Sequence, residues 1–286
     1  MIRAVQMLLI VFIAVVVRTA IGQTIPLSEW QALVALHKST RGHFWYTGWK
    51  ITGKGPDGSE CSWYGVTCDT TPHVTALYLR NNNLDGPLPD LSGLPNLTWL
   101  TLGQNHITGT LPASISKLSQ LARLEVDYNS LTGIIDVIAG LEQLVEFDGD
   151  QNAFTGSIPN FSTMPSLRQF SVRNSQLTGQ IPSFDNNPSF SYFAVNNNYL
   201  SGPVPPLTNL HFLQVFDIPG NKLTGAMPPP PNPIFFLDYG ALCPGNNFAP
   251  IDNAEWDSLT RITPWYTGCD TNTIFNNGFG SPPTMR

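Results

Sequence analysis

The sequence predicts an α/β repeat fold: a solenoid with a parallel concave sheet, an N-terminal helical cap and a C-terminal disulfide cap. Three observations predict it. One short pattern recurs seven times at near-constant spacing, an amphipathic stretch and a cysteine pair precede the first copy, and a second cysteine pair follows the last. Composition agrees. Only 12% of the 286 residues are charged, against 24 Gly and 25 Pro, which favours short elements and tight turns over long surface helices. A hydrophobic share of 42% is enough for a continuous core.

The copies are LYLRNNNLDGPLP, LTLGQNHITGTLP, LEVDYNSLTGIID, FDGDQNAFTGSIP, FSVRNSQLTGQIP, FAVNNNYLSGPVP and FDIPGNKLTGAMP, starting at Leu77, Leu100, Leu124, Phe147, Phe170, Phe193 and Phe216. The steps are 23, 24, 23, 23, 23 and 23 residues, an internal repeat of solenoid period. Apolar and polar residues alternate at the start of each copy, which reads as a short strand with one face inward. An Asn follows at fixed offset (82, 105, 129, 152, 198, 221), and its amide can satisfy backbone groups where the chain turns. Ser175 replaces it in the fifth copy and should do so less well. Then comes Gly (86, 109, 133, 156, 179, 202, 225), marking a bend that needs no side chain. A single coil cannot bury its own apolar edge, so coils must stack, with strands about 4.8 Å apart. Phe at the first core position from the fourth copy on should fill a wider interior, and Gly149, where Val or Leu is expected, should be a weak spot.

Ahead of the repeats, Ser28 with Gln31 reads as a capping-box helix start, Trp30, Leu33, Val34 and His37 share one helical face, and Gly42 ends it. Such a helix covers the open core of the first coil. The pattern LxxLxLxxNxLTGxIP resembles the plant-type extracellular leucine-rich repeats found in receptor-kinase ectodomains, receptor-like proteins and polygalacturonase-inhibiting proteins. SEWQALVALHKSTRG and CSWYGVTC are similar to that family's amino-terminal cap. The resemblance covers about residues 27 to 228. It implies a right-handed leucine-rich-repeat solenoid, with a second short strand at each TGxIP. The chain divides into 1–22 a signal peptide, 23–73 the N-terminal cap, 74–228 seven repeats, 229–272 the C-terminal cap and 273–286 a disordered tail. Family members often end with a closer cysteine pair, so the C-terminal cap is not assigned by the resemblance. Within the C-terminal cap, Asp252 to Ile262 reads as a short helix capped by Asp252.

Arg3, the apolar run Met7 to Val17 and the small residues Ala20 and Gly22 are the parts of a secretory leader, too short to span a bilayer. No other stretch approaches spanning length, so the mature chain is expected to be secreted to the extracellular space or cell wall. Export makes disulfides the default. Of three pairings, Cys61–Cys68 with Cys243–Cys269 is the most economical. Asn96 and Asn160 are glycosylation acceptors by sequence.

The concave strand face of such a stack is the expected binding surface, since the repeats order a row of side chains on rigid backbone. The expected ligand contacts there are Tyr78, Arg80, Trp99, Arg123, Glu125, Asp127, Glu146, Asp148, Asp150, Arg173 and Tyr192, with Tyr128 and Arg168 nearby. Aromatic and Arg side chains are the types enriched at interface hot spots. Five carboxylates favour a protein or peptide carrying Lys or Arg over an acidic polysaccharide. A net charge of −6 without a basic stripe argues against nucleic acid. No metal or other cofactor is expected, although Asp127, Asp148 and Asp150 lie on neighbouring strands. The five His are scattered, and HExxH, GxSxG and phosphate-cradling loops are missing, so the chain reads as a binding protein, not an enzyme. A co-receptor is a natural second partner, since no kinase follows the repeats. The rival roles are a secreted inhibitor of a cell-wall hydrolase and a structural or ice-binding surface. The threonine column Thr108, Thr132, Thr155, Thr178 and Thr224 would serve ice, but its hydroxyls are better placed to bond local backbone.

Overall fold

A computed structural model describes residues 24–231, 242–249, 254–261 and 263–267. The leader, the tail, Asp252 and Cys269 lie outside the described residues. Helix α1 (Leu27–Ser39) opens behind Pro26 with no side-chain cap. The Ser28–Gln31 capping box does not form, because the helix starts one residue too early and Ser28 falls inside its first turn. The buried face is Glu29, Ala32, Leu33, Leu36 and His37, rotated away from the expected Trp30 and Val34. Glu29 sets that rotation. Its carboxylate accepts from the Val74 N–H at 2.7 Å and meets His73 Nδ1 at 2.7 Å, where the first repeat strand begins. Gly42 does not end the helix. Thr40 does, its hydroxyl donating to the Leu36 carbonyl at 2.6 Å, and Arg41 then turns the chain at φ 53°. Gly42 instead lies against His37, whose ring would stand 2.1 Å from an added Cβ. His37, Trp45, Trp49 and Trp63 pack in series, Trp45 and Trp49 edge to face at 4.9 Å and Trp49 and Trp63 stacked at 5.2 Å. Burial, and next the nearby His43, push the His37 pKa down, so it packs as a neutral ring.

The concave sheet has eight strands: Val66–Cys68, Val74–Tyr78, Trp99–Thr101, Arg123–Glu125, Glu146–Asp148, Gln169–Ser171, Tyr192–Ala194 and Val215–Asp217. The first is antiparallel to its neighbour and the rest are parallel. Leu77, Leu100, Leu124, Phe147, Phe170, Phe193 and Phe216 pair in unbroken register, every one fully buried. The repeat therefore forms one apolar spine. Its aromatic half is thickened by Phe161, Phe184 and Phe190, whose rings pack among Phe170 and Phe193. Gly149 is no void: the Phe154 and Phe147 rings would lie 3.0 and 3.1 Å from a Cβ there. Large neighbours have taken the space that the missing side chain leaves.

Past each strand one residue turns left-handed: Asn81, Gln104, Tyr128, Gln151, Asn174 and Asn197, then Gly220 and Gly245. The Asn column follows, pointing inward. The Asn105 carbonyl accepts from the N–H groups of Asn82 and Leu84, each at 3.0 Å. Its NH₂ donates to the carbonyls of Leu79, Leu102 and Gly103 at 2.9, 2.8 and 3.1 Å. Asn129, Asn152, Asn198 and Asn221 repeat the scheme, each riveting its coil to the preceding one. Ser175 makes only one such bond, to the Asn152 carbonyl at 3.1 Å. The repeat glycines Gly109 and Gly133 sit at φ 77°, a conformation costly for other residues. The second strands assemble as expected except in the fifth copy, so they fall into sheets of four and three.

Stacking runs past residue 228. Asn247–Phe248 pairs with the strand Lys222–Gly225, and Asn246 accepts from Leu223 N–H and donates to the Ile218 carbonyl, each at 3.0 Å. Leu242 is fully buried where Ile218 stood one coil before. Helix α2 (Ala254–Thr260) then buries Trp256 at this end. The Asn105→Ala variant should lose about 2–4 kcal/mol of unfolding free energy in urea, since two N–H and three C=O groups lose a buried partner. A loss under about 0.5 kcal/mol would show that the amide column holds little together.

Candidate functional site

The register that stacks the core also lines up the outward side chains. Trp99, Arg123, Glu146, Gln169 and Tyr192 stand opposite one another on successive strands. Tyr78 and Trp99 meet edge to face at 5.7 Å and are 38% and 40% exposed. The Arg123 guanidinium lies over the Trp99 ring at 5.0 Å and is held from beyond by Glu146 at 2.8 Å and Glu125 at 3.3 Å. The Trp is thus backed on one face by a fixed cation and flanked by Tyr78, with the rest of it partly exposed.

Two expected contacts are corrected. Asp127 and Asp150 are only 2% exposed each and cannot face a ligand directly. Arg80 folds back over the sheet and clasps Asp127 with two bonds of 2.7 Å. It passes over Gly103, where a Cβ would lie 2.1 Å from Asp127 Oδ1 and 2.4 Å from Arg80 Nη1. Asp150 accepts from the Ser171 hydroxyl at 2.7 Å, from the Arg173 N–H at 2.6 Å and from Arg173 Nε at 2.5 Å. The two arginines that were expected to await a ligand neutralise these carboxylates instead. Gly103→Ala should separate the Arg80–Asp127 clasp and cost about 1–3 kcal/mol in a denaturant titration. Unchanged stability, with the clasp intact in the variant's structure, would refute the crossing.

Asp148 differs. Among the described residues it is in no ion pair, and its side chain accepts one bond, from the Asp150 N–H at 3.1 Å. Burial, and then the Asp150 charge, push its pKa up to about 7. Burial also raises that of Glu146, against the pull of Arg123. Asp148 borders a cleft of about 100 Å³ with Glu146, Gln169, Ser171, Arg173 and Tyr192. Sequence reading missed Gln169 and Ser171, though both occupy the outward alternate positions of their strand. Below pH 3.8 both folded and unfolded chains protonate Asp148, while between 3.8 and about 7 only the folded chain does. Stability should therefore fall as pH rises through that window. From pH 5 to 8 the Asp148 contribution is a loss of about 2–3 kcal/mol, at about 1.4 kcal/mol per pK unit. Asp148→Asn should remove that slope and be the more stable chain at pH 8, as read from urea unfolding at both pH values. Parallel slopes in the two proteins would contradict the titration.

Away from the cleft, Cys61 and Cys68 are bonded with Cα atoms 5.6 Å apart. Cys243 is also in a disulfide, while Cys269 lies outside the described residues. Thr132 and Thr178 donate to the Gly109 and Gly156 carbonyls at 3.1 and 3.3 Å, so these two column hydroxyls serve the backbone. His37 and His73 are both taken up in the cap.

The coil geometry is matched among known proteins. Residues 95–154 match the leucine rich repeat family. A leucine-rich-repeat receptor-like serine/threonine-protein kinase of Arabidopsis thaliana, RGI4, is 34% identical over 86 residues, which is 29% of this chain and 8% of that kinase. The chain therefore aligns with under a tenth of that relative's length. The ectodomain of the Arabidopsis receptor kinase HAESA, solved with the peptide hormone IDA and the co-receptor SERK1, is similar over 60% of this chain and 30% of its own. There the identity is 28% and the TM-score 0.52. PEPR1–AtPEP1 covers 86% of this chain and 38% of its own at TM-score 0.66, and at 22% identity it speaks for the leucine-rich-repeat fold alone. Among the described residues no helix is long and apolar enough to cross a membrane.

Proposed function

We propose that this chain is a secreted, extracellular leucine-rich-repeat recognition protein that binds a peptide or protein ligand on its concave sheet, with no catalytic step. The observation that carries the reading is the outward row from Tyr78 to Tyr192. An exposed aromatic pair, a cation fixed on Trp99 and a polar cleft lie side by side on rigid strands, as a preordered contact surface requires. HAESA, a receptor similar in fold, was solved with a peptide hormone and a co-receptor. A co-receptor is accordingly a second expected partner here. Asn160 is exposed and Asn96 partly so, positions open to glycosylation, and the Asn160 side-chain oxygen is already used in accepting from Ser162 N–H.

The test is a quantitative pull-down from secreted proteins and peptides, comparing the wild type with a Tyr78→Ala/Trp99→Ala double variant. Both side chains are partly exposed, so the fold should survive, as circular dichroism can verify. Loss of a hot-spot aromatic costs about 2 kcal/mol or more, so bound partners should drop at least about 30-fold in affinity. Partners recovered equally by both proteins would place binding elsewhere on the solenoid.

A further inference from the structure

We propose that the cleft between the strands Glu146–Asp148, Gln169–Ser171 and Tyr192–Ala194 is a subsite for a primary ammonium group, supplied by a lysine side chain or by a peptide's amino terminus. This rests on the reading that the concave face binds a ligand, and adds which chemical group is held and where.

The charges of the face are unequally used. Arg80 is taken by Asp127, Arg173 by Asp150, and Arg123 by Glu146 and Glu125. That leaves Asp148 as the cleft carboxylate without a cation. Two further polar groups line the same cleft without a side-chain hydrogen bond among the described residues: the Gln169 amide and the Tyr192 hydroxyl. An ammonium has three donors and needs three acceptors arranged around it. The Asp148 carboxylate, the Gln169 carbonyl oxygen and the Tyr192 oxygen supply one anionic and two neutral acceptors.

Size and donor geometry also bear on the ligand. About 100 Å³ is roughly three water volumes, room for an ammonium and its neighbouring methylenes. A guanidinium instead spreads its charge over a plane of five donors and suits a two-pronged carboxylate contact, as Arg80 makes with Asp127, better than three acceptors around one point.

Occupancy should depend on pH. The groups around Asp148 are Glu146 and Asp150 on or just past its own strand, and Glu125, Asp127 and Arg123 on one side. Arg173 and Tyr192 lie on the other, with Arg80 reaching across. All the acids but Asp148 already have arginine partners, so it is the group free to change state as a cation arrives. Its pKa of about 7 means that a cation meets a neutral acid at pH 5.5 and a carboxylate at pH 7.5.

The experiment titrates the whole secreted chain with four small probes, following the Asp148 carboxyl carbon and the Tyr192 ring by NMR. Acetyl-lysine methylamide carries only a side-chain ammonium, and alanine methylamide only an α-ammonium. Acetyl-norleucine methylamide carries neither, and acetyl-arginine methylamide carries a guanidinium. An ammonium probe should shift both resonances at pH 7.5. The lysine probe should bind about 25-fold more weakly at pH 5.5, the ratio of ionised Asp148 at the two values, and the alanine probe about 15–19-fold, since its own α-amino group is partly deprotonated at pH 7.5. Whichever ammonium probe binds more tightly identifies the source. Asp148→Asn should abolish the response, Asp148→Glu should restore part of it, and Glu142→Gln, an exposed site outside the cleft, should leave it unchanged. Norleucine or arginine probes binding as tightly as lysine would overturn the assignment, as would unaltered binding by Asp148→Asn. So would the failure of both ammonium probes to shift either resonance at pH 7.5. A protein partner that is lost with Tyr78→Ala/Trp99→Ala yet indifferent to Asp148→Asn would retain the concave-face reading and reject this subsite alone.

Discussion

Every coil of this protein must bend its backbone inside an apolar stack, and the buried asparagine amide is what makes the bend tolerable. A peptide N–H or C=O left without a partner in such an interior costs about 1–3 kcal/mol. In every repeat but the fifth, where Ser175 stands, one carboxamide, typified by Asn105, answers several of these groups at once and reaches into the coil before it. The spine of Leu77 to Phe216 supplies the driving force for stacking, and the amides fix its register. The outward row of side chains inherits its order from that register.

Much of this was legible in the sequence because it is periodic. Leu, Asn and Gly recur at one spacing and each has a single physical use there, so position implied role. What escaped was aperiodic. Asp127 and Asp150 alternate like surface residues, and nothing in alternation shows that Arg80 will lie across one of them. The clue was Gly103, a residue without a side chain in an outward position between the two partners. Gly149 misled in the opposite direction, because a hole is judged by its neighbours and two phenylalanine rings lean into this one. The coil after residue 228 was hidden by one extra residue between Leu242 and Asn246 and by the unpatterned chain before it.

The candidate site shows the same division. Trp99 and Asp148 could be placed on the face from alternation alone. That Asp148 stays unpaired while four neighbouring acids share three arginines follows from arginine reach across strands, which only geometry supplies. The surface is thus less acidic in effect than five carboxylates suggest: three arginines offset most of the charge, and Asp148 is the carboxylate that none of them reaches.

The strand Val66–Cys68 runs against the direction of all the others. A parallel stack is by nature extensible, since the edge it presents at one end is complementary to the edge at the other. Reversing one terminal strand, and stapling it through Cys68, breaks that complementarity. The terminal strand thus works against head-to-tail extension of the sheet at this edge, the route by which a repetitive architecture would otherwise grow without limit.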